Sequence, residues 1–185
     1  RSDLLEPRKM DLTKTKKIDL SCLLNDNATS LDRSWLIHED QAHSNGEVLE
    51  NKLLANKELI NAIDNHGTFF QEIPIINTDR SVCARISGEI AEKHGNKGFE
   101  GNLKLTFRGS AGQSFGAFLI KGMNIILTGE ANDYVGKGMN GGEIIIKPKI
   151  INNKSSNQVI LGNTCLYGGT GGELYALGRA GERFA

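Results

Sequence analysis

The chain has 185 residues, with 22 Lys and Arg balanced by 22 Asp and Glu, so its formal net charge is zero. That balance gives no electrostatic footprint for nucleic acid, and no stretch approaches the ~18 uninterrupted apolar residues of a membrane span. Hydrophobic residues at 38% and aromatics at 6% permit an aliphatic core without selecting a fold, whereas 22 glycines against three prolines call for a specific explanation.

Residues 1–34 read as a connector. A basic stretch at Lys14–Lys17 sits between apolar positions without a sustained helical or strand period, and such charge runs are ordinarily solvated faces. Next comes a helix over Lys57–His66. Asn56 is its N-cap, Glu58 lies in its first turn, Leu59, Ile60 and Ile63 share one face, and Gly67 stops it. Ile73-Pro74-Ile75-Ile76 reads as an edge strand or extended lead, since proline cannot donate to a ladder. The i, i+4 recurrence of Val82, Ile86 and Ile90 suggests a second helix, capped by Thr78 or Asp79, carrying a Glu89–Lys93 pair and ended by Gly95. Alternation of Val82, Ala84 and Ile86 also fits a strand.

Beyond Gly101 the texture changes to short apolar strands separated by glycine-rich turns. Strands are expected at Leu103–Phe107, Asn124–Thr128, Glu143–Pro148, Gln158–Leu161 and Glu173–Leu177, with Ala117–Ile120 following the turn Gly109–Gly116. Gly136, Gly138 and Gly141 satisfy G-x-G-x-x-G, yet a dinucleotide fingerprint needs a helix after it, and here a β-branched run follows. Similar turns recur around Gly109 and Gly168, and strand starts repeat loosely every ~20 residues, the spacing of stacked repeats. The expected fold is therefore mainly β: a solenoid whose coils stack backbone hydrogen bonds and bury a narrow aliphatic column, preceded by a linker and short α-helices. The chain opens on Arg1 and stops at Ala185 inside another glycine turn without a polar cap, so it is expected to be a fragment of a longer polypeptide.

Few residues invite chemistry. Cys22, Cys83 and Cys165 are far apart and outside any C-x-x-C motif, which favours buried free thiols over a cluster and a reduced compartment over a disulfide framework. His38, His43, His66 and His94 make no H-x-x-x-H pair, and His66 and His94 precede helix-ending glycines where capping accounts for them. Ser110 and Ser114 have no evident His-Asp partner, and G-x-S-x-G is absent from the sequence. Glu130, Asn132 and Asp133 read as turn residues, with stacked Asn side chains between coils as a further possibility. No catalytic, cofactor-binding or metal residue is assigned.

The strings Gly109–Phe118, Gly129–Gly142 and Gly162–Ala185, with Asn77-Thr-Asp-Arg80, Asn65-His-Gly67 and His43-Ser-Asn-Gly46, resemble the C-terminal glycine-repeat domain of the glutamate synthase large subunit. Arg1–Leu5 resembles the linker leaving the flavin domain in that family, and His43–Leu54 is more similar to ferredoxin-dependent than to NAD(P)H-dependent members. The resemblance implies a right-handed single-stranded β-helix over residues 67–185, incomplete at its C-terminus, with residues 1–66 as linker and helical connector. It further implies an oxidoreductase of ammonia assimilation that forms two glutamates from glutamine and 2-oxoglutarate with reduced ferredoxin. In such an enzyme an N-terminal amidotransferase releases ammonia into an internal tunnel, and FMN and a [3Fe-4S] cluster, in some members also FAD, lie upstream of the glycine repeats. The three cysteines here do not match the grouped cluster cysteines. A plastid stroma is the implied compartment, a cyanobacterial or other bacterial cytoplasm the alternative. A freestanding β-helical assembly subunit, similar to that of formylmethanofuran dehydrogenase, is the competing reading, and an NAD-binding enzyme built on Gly136–Gly141 a third.

Overall fold

The computed structural model describes residues 19–24 and 46–185. The chain divides into two compact units, Arg1–Ser44 and Asn45–Ala185. In the first, the described stretch is the single-turn helix α1 (Ser21–Leu24), whose Ser21 N–H donates to the Asp19 carboxylate at 2.9 Å. Lys14–Lys17, His38 and His43 lie outside the described residues.

The second unit begins with α2 (Leu49–Leu54) and α3 (Lys57–Asp64), followed after one strand by α4 (Ala84–His94). Six residues are too few to show a period, which is why α2 was not legible in the sequence. In α3 the Asn56 side chain accepts from Glu58 N–H at 2.9 Å, the expected cap, and Leu59, Ala62 and Ile63 face inward. It ends at Asp64, two residues earlier than expected, and Gly67 N–H returns to Ala62 O at 2.7 Å. The Val82–Ile90 recurrence is resolved as helix, but neither Thr78 nor Asp79 caps it. Asp79 instead accepts from Ile76 N–H at 2.9 Å, closing a turn, and the residue at the N-cap of α4 is Cys83, whose φ is 80°. The Glu89–Lys93 ion pair forms at 3.1 Å.

Seven strands form one sheet whose pairings are all parallel. They are β1 (Thr68–Ile75), β2 (Asn102–Ala111), β3 (Met123–Ala131), β4 (Asn140–Lys147), β5 (Val159–Leu161), β6 (Gly171–Ala176) and β7 (Arg179–Ala180). The main path runs β1-β2-β3-β4-β6, with β5 joining β3 and β7. Pro74 lies on β1, at the end of that path, where the missing donor is tolerated. Across the sheet Leu105, Ile125 and Ile144 align in one row, and Phe107, Leu127 and Ile146 in the next, all fully buried. Each such side chain contributes ~1.5–3 kcal/mol relative to exposure, so the rows are the main cohesive element between strands.

One expected strand is absent. Ala117–Ile120 lies in turn and irregular structure, with Phe118 at φ 56°, because its two buried residues, Ala117 and Leu119, fill a corner rather than a ladder. The spacing of paired residues also varies. Leu103 pairs with Met123 and Asn124 with Glu143, but Glu143 pairs with Glu173, the additional residues looping out after Lys147.

Candidate functional site

The recurring glycine turns come together at one corner. Left-handed backbone occurs at alternate residues there: Ser114, Gly116 and Phe118; then Tyr134, Gly136 and Gly138; then Thr164, Leu166 and Gly168. Ser81 with Cys83, and Arg183 with Ala185, continue the pattern on either side. Glycine adopts this conformation without strain, whereas other L-residues incur roughly 1–2 kcal/mol each, so the corner is held by its surroundings.

Those surroundings are backbone hydrogen bonds between successive turns. Gly116 N–H donates to Val82 O at 2.9 Å, Gly136 to Phe115 O at 2.9 Å, Leu166 to Val135 O at 2.8 Å and Ala185 to Cys165 O at 3.0 Å. A second row runs the other way, from Ser114 to Asp133 O, Tyr134 to Asn163 O and Thr164 to Glu182 O, at 2.8 to 2.9 Å. The residues between these rows, Val82, Phe115, Val135 and Cys165, point inward and are buried.

This geometry accounts for the fingerprint-like glycines. Binding a pyrophosphate requires free N–H groups at a helix N-terminus. Here Gly136 N–H is committed to Phe115 O, Gly138 N–H donates to Tyr167 O at 2.8 Å, and the segment that follows is strand β4. The donors that would cradle a phosphate hold neighbouring turns together instead.

The polar side chains serve the same corner. Asp133 Oδ1 accepts from Asn163 N–H at 2.7 Å, Asn163 Oδ1 accepts from Glu182 N–H at 2.8 Å, and Asn132 Nδ2 reaches Asn77 Oδ1 at 3.4 Å. On the strands Asn124 Nδ2 donates to Asn102 Oδ1 at 2.8 Å. The expected turn and stacking roles of Asn132 and Asp133 are thus realised, whereas Glu130, also expected in a turn, lies on β3. Ser110 Oγ donates to Glu130 Oε1 at 3.1 Å, an exposed pairing across β2 and β3.

Cys83 and Cys165 are buried free thiols, while Cys22 is exposed and so departs from the expectation that all three are buried. Burial pushes the Cys83 thiol well above its ordinary range, with the Glu50 charge adding to the effect, and raises Cys165 likewise. Among the described residues no group of three or more His, Cys, Asp or Glu is placed to hold a metal ion. His94 Nε2 lies 2.7 Å from Ile63 O, so it caps the end of α3 rather than its own helix, and His66 Nδ1 accepts from Glu100 N–H at 3.1 Å.

The residue that sequence reasoning missed is Glu50. It is 5% exposed on α2, and its Oε1 accepts from Arg85 N–H at 3.0 Å and lies 3.4 Å from Ile86 N. No local motif announces it, because donor and acceptor are 35 positions apart.

The model of the GXGXG motif family matches residues 50–185. The chain belongs to that family. Among its relatives, ferredoxin-dependent glutamate synthase 2 of Synechocystis sp. is 55% identical over 187 residues, covering 100% of this chain and 12% of that protein. Ferredoxin-dependent glutamate synthase of Antithamnion sp. is 54% identical over the same share of each chain. Ferredoxin-dependent glutamate synthase 1, chloroplastic/mitochondrial, of Arabidopsis thaliana is 51% identical over 186 residues, again 100% of this chain and 12% of the relative. This GXGXG chain therefore spans about 12% of the length of the relatives it matches. Among its described residues, no helix is long and apolar enough to cross a membrane.

Proposed function

We propose that this chain is the C-terminal scaffold of a ferredoxin-dependent glutamate synthase, which forms two L-glutamates from L-glutamine and 2-oxoglutarate with reduced ferredoxin as electron donor. The observation that carries the reading is identity of at least 51% along the whole chain to three proteins of that name. The compartment is a plastid stroma or a cyanobacterial cytoplasm, in keeping with the Arabidopsis and Synechocystis relatives.

In this reading residues 67–185 wind as a right-handed single-stranded β-helix. Support comes from the hydrogen-bond rows that continue from strands into corners, and from the strong preference of parallel crossover connections for the right-handed sense. Residues 1–66 connect it to a flavin domain upstream. FMN and the [3Fe-4S] cluster, and FAD where present, are held outside this segment, which contributes no catalytic, cofactor or metal residue. Its role is rigidity: misplacement by about 1 Å can lower a rate ~100-fold, so a stiff column that fixes the spacing of amidotransferase and synthase domains has catalytic weight.

The test is Gly142→Val in the full-length enzyme. Gly142 has φ +76°, and a Cβ there would stand 2.6 Å from both Ile120 O and Met123 O, forcing adjacent turns apart. Glutamine hydrolysis should persist while the glutamate formed per glutamine hydrolysed falls. An unchanged ratio in a variant with native circular dichroism overturns the scaffold reading.

A further inference from the structure

The extra length between β4 and β5 builds a surface feature that the scaffold role leaves unused. Pairing of β3 with β4 ends at Thr128 and Lys147, and on that edge β3 next pairs where Ala131 meets Leu161. The chain between Lys147 and Val159 arches away, leaving a groove of about 900 Å³ between this loop and the sheet at Ser110 and Glu130. In stacked-repeat folds an insertion within one repeat maps to a loop on one face, often the binding face.

The loop is preorganised from within. Ser155 is 1% exposed, its Oγ accepts from Asn152 N–H at 2.8 Å and donates to Ile150 O at 3.3 Å, and Asn152 Oδ1 accepts from Lys154 N–H at 2.9 Å. These bonds hold outward two isoleucines that are 71% and 63% exposed, Ile150 and Ile151, with Val159 across the groove at 62%. Ordered apolar side chains presented to water are the anatomy of an interface core, and the surrounding charge is its rim. The loop's own charge is of one sign: residues 147–154 carry Lys147, Lys149 and Lys154 and no acid, with Glu130 on the opposite, sheet wall of the groove.

The geometry points to a docking element: Ile150 and Ile151 seat on an apolar surface rimmed by carboxylates elsewhere on the same polypeptide. Charge complementarity sets the chemistry of the partner surface, and the relatives, about eight times longer than this chain, supply the polypeptide in cis. The inference rests on the reading of the chain as part of a longer enzyme.

The experiment places a photoreactive benzoylphenylalanine at Ile151 in the full-length enzyme, with the same probe at exposed Glu92 on α4 as reference. The expected result is an intramolecular cross-link from position 151 to a peptide outside residues 46–185 that carries Asp or Glu, with none to that peptide from position 92. Lys149→Glu with Lys154→Glu should lower its yield about tenfold, the change that follows from losing roughly 1.4 kcal/mol. Cross-links confined to residues 46–185, to a second copy, or to added ferredoxin overturn the inference, as does a yield indifferent to the lysine changes. The size of the native polypeptide on an immunoblot and its glutamate production test the parent reading separately. A long, active enzyme without the cross-link sinks the docking proposal alone.

Discussion

Glu50 on α2 accepts the backbone N–H of Arg85 at 3.0 Å and thereby caps α4, a helix that begins 34 positions later. The cap comes from outside the helix because Cys83, at the N-cap position, makes no side-chain hydrogen bond to it. The opening of α4 is satisfied by a tertiary contact. Glu50→Ala leaves the Arg85 N–H, part-buried at the start of α4, without its acceptor, so stability should fall by about 1 kcal/mol. Glu50→Gln, which keeps an oxygen acceptor, should lose less. Urea unfolding followed by circular dichroism compares the two, and equal losses would show that the bond contributes little.

The same contact predicts a pH dependence. Desolvation by burial raises the Glu50 carboxyl above its ordinary 4.5, opposed in part by hydrogen bonds from the backbone N–H groups of Ile86 and Arg85. With the folded value above the unfolded one, the folded state holds the proton to higher pH. The contribution is fully present below the unfolded value and is lost as pH rises through the folded one. Stability of the wild-type chain relative to Glu50→Gln should therefore decline as pH rises above the ordinary carboxyl value of 4.5. Parallel stability profiles for the two proteins would refute this.

Backbone strain at the corner gives a pair of opposite effects. Thr164, at φ 56°, is a β-branched residue in a left-handed position that Gly138 and Gly168 occupy without strain elsewhere in the corner. Asparagine tolerates this conformation better, so Thr164→Asn should stabilise by about 0.5–1 kcal/mol. Gly136→Val imposes a branched side chain at φ +66° with its Cβ 2.9 Å from Leu166 Cδ2, and should destabilise by at least about 2 kcal/mol. Thermal melts of both variants measure the signs. A stabilised Gly136→Val would contradict the strained-corner account.

Thiol accessibility separates the three cysteines. Cys22 is exposed, whereas Cys83 and Cys165 are buried and their thiols are pushed up by desolvation. Brief iodoacetamide treatment of the native protein, read by mass spectrometry, should modify Cys22 and leave the other two until denaturant is added. Rapid labelling of Cys165 under native conditions would mean that the corner column of Val82, Phe115, Val135 and Cys165 opens readily.

The amino-acid sequence by itself determined the glycine-turn period, five of the sheet strands, the Asn56 cap of α3 and the Glu89–Lys93 pair, because each depends on residues within a few positions of one another. Left-handed turns select glycine locally, and β-branched runs select extended backbone. It also showed that Gly136, Gly138 and Gly141 lack the helix a nucleotide would require. Tertiary structure alone decided where their N–H groups go, since Gly136 meets Phe115 O only when one turn stacks on another. It likewise decided that Ala117–Ile120 fills a corner, that Glu50 caps α4 and that the residues after Lys147 arch over a groove. Each of these depends on groups brought together from distant positions, and the energy that places them comes from stacking the chain upon itself.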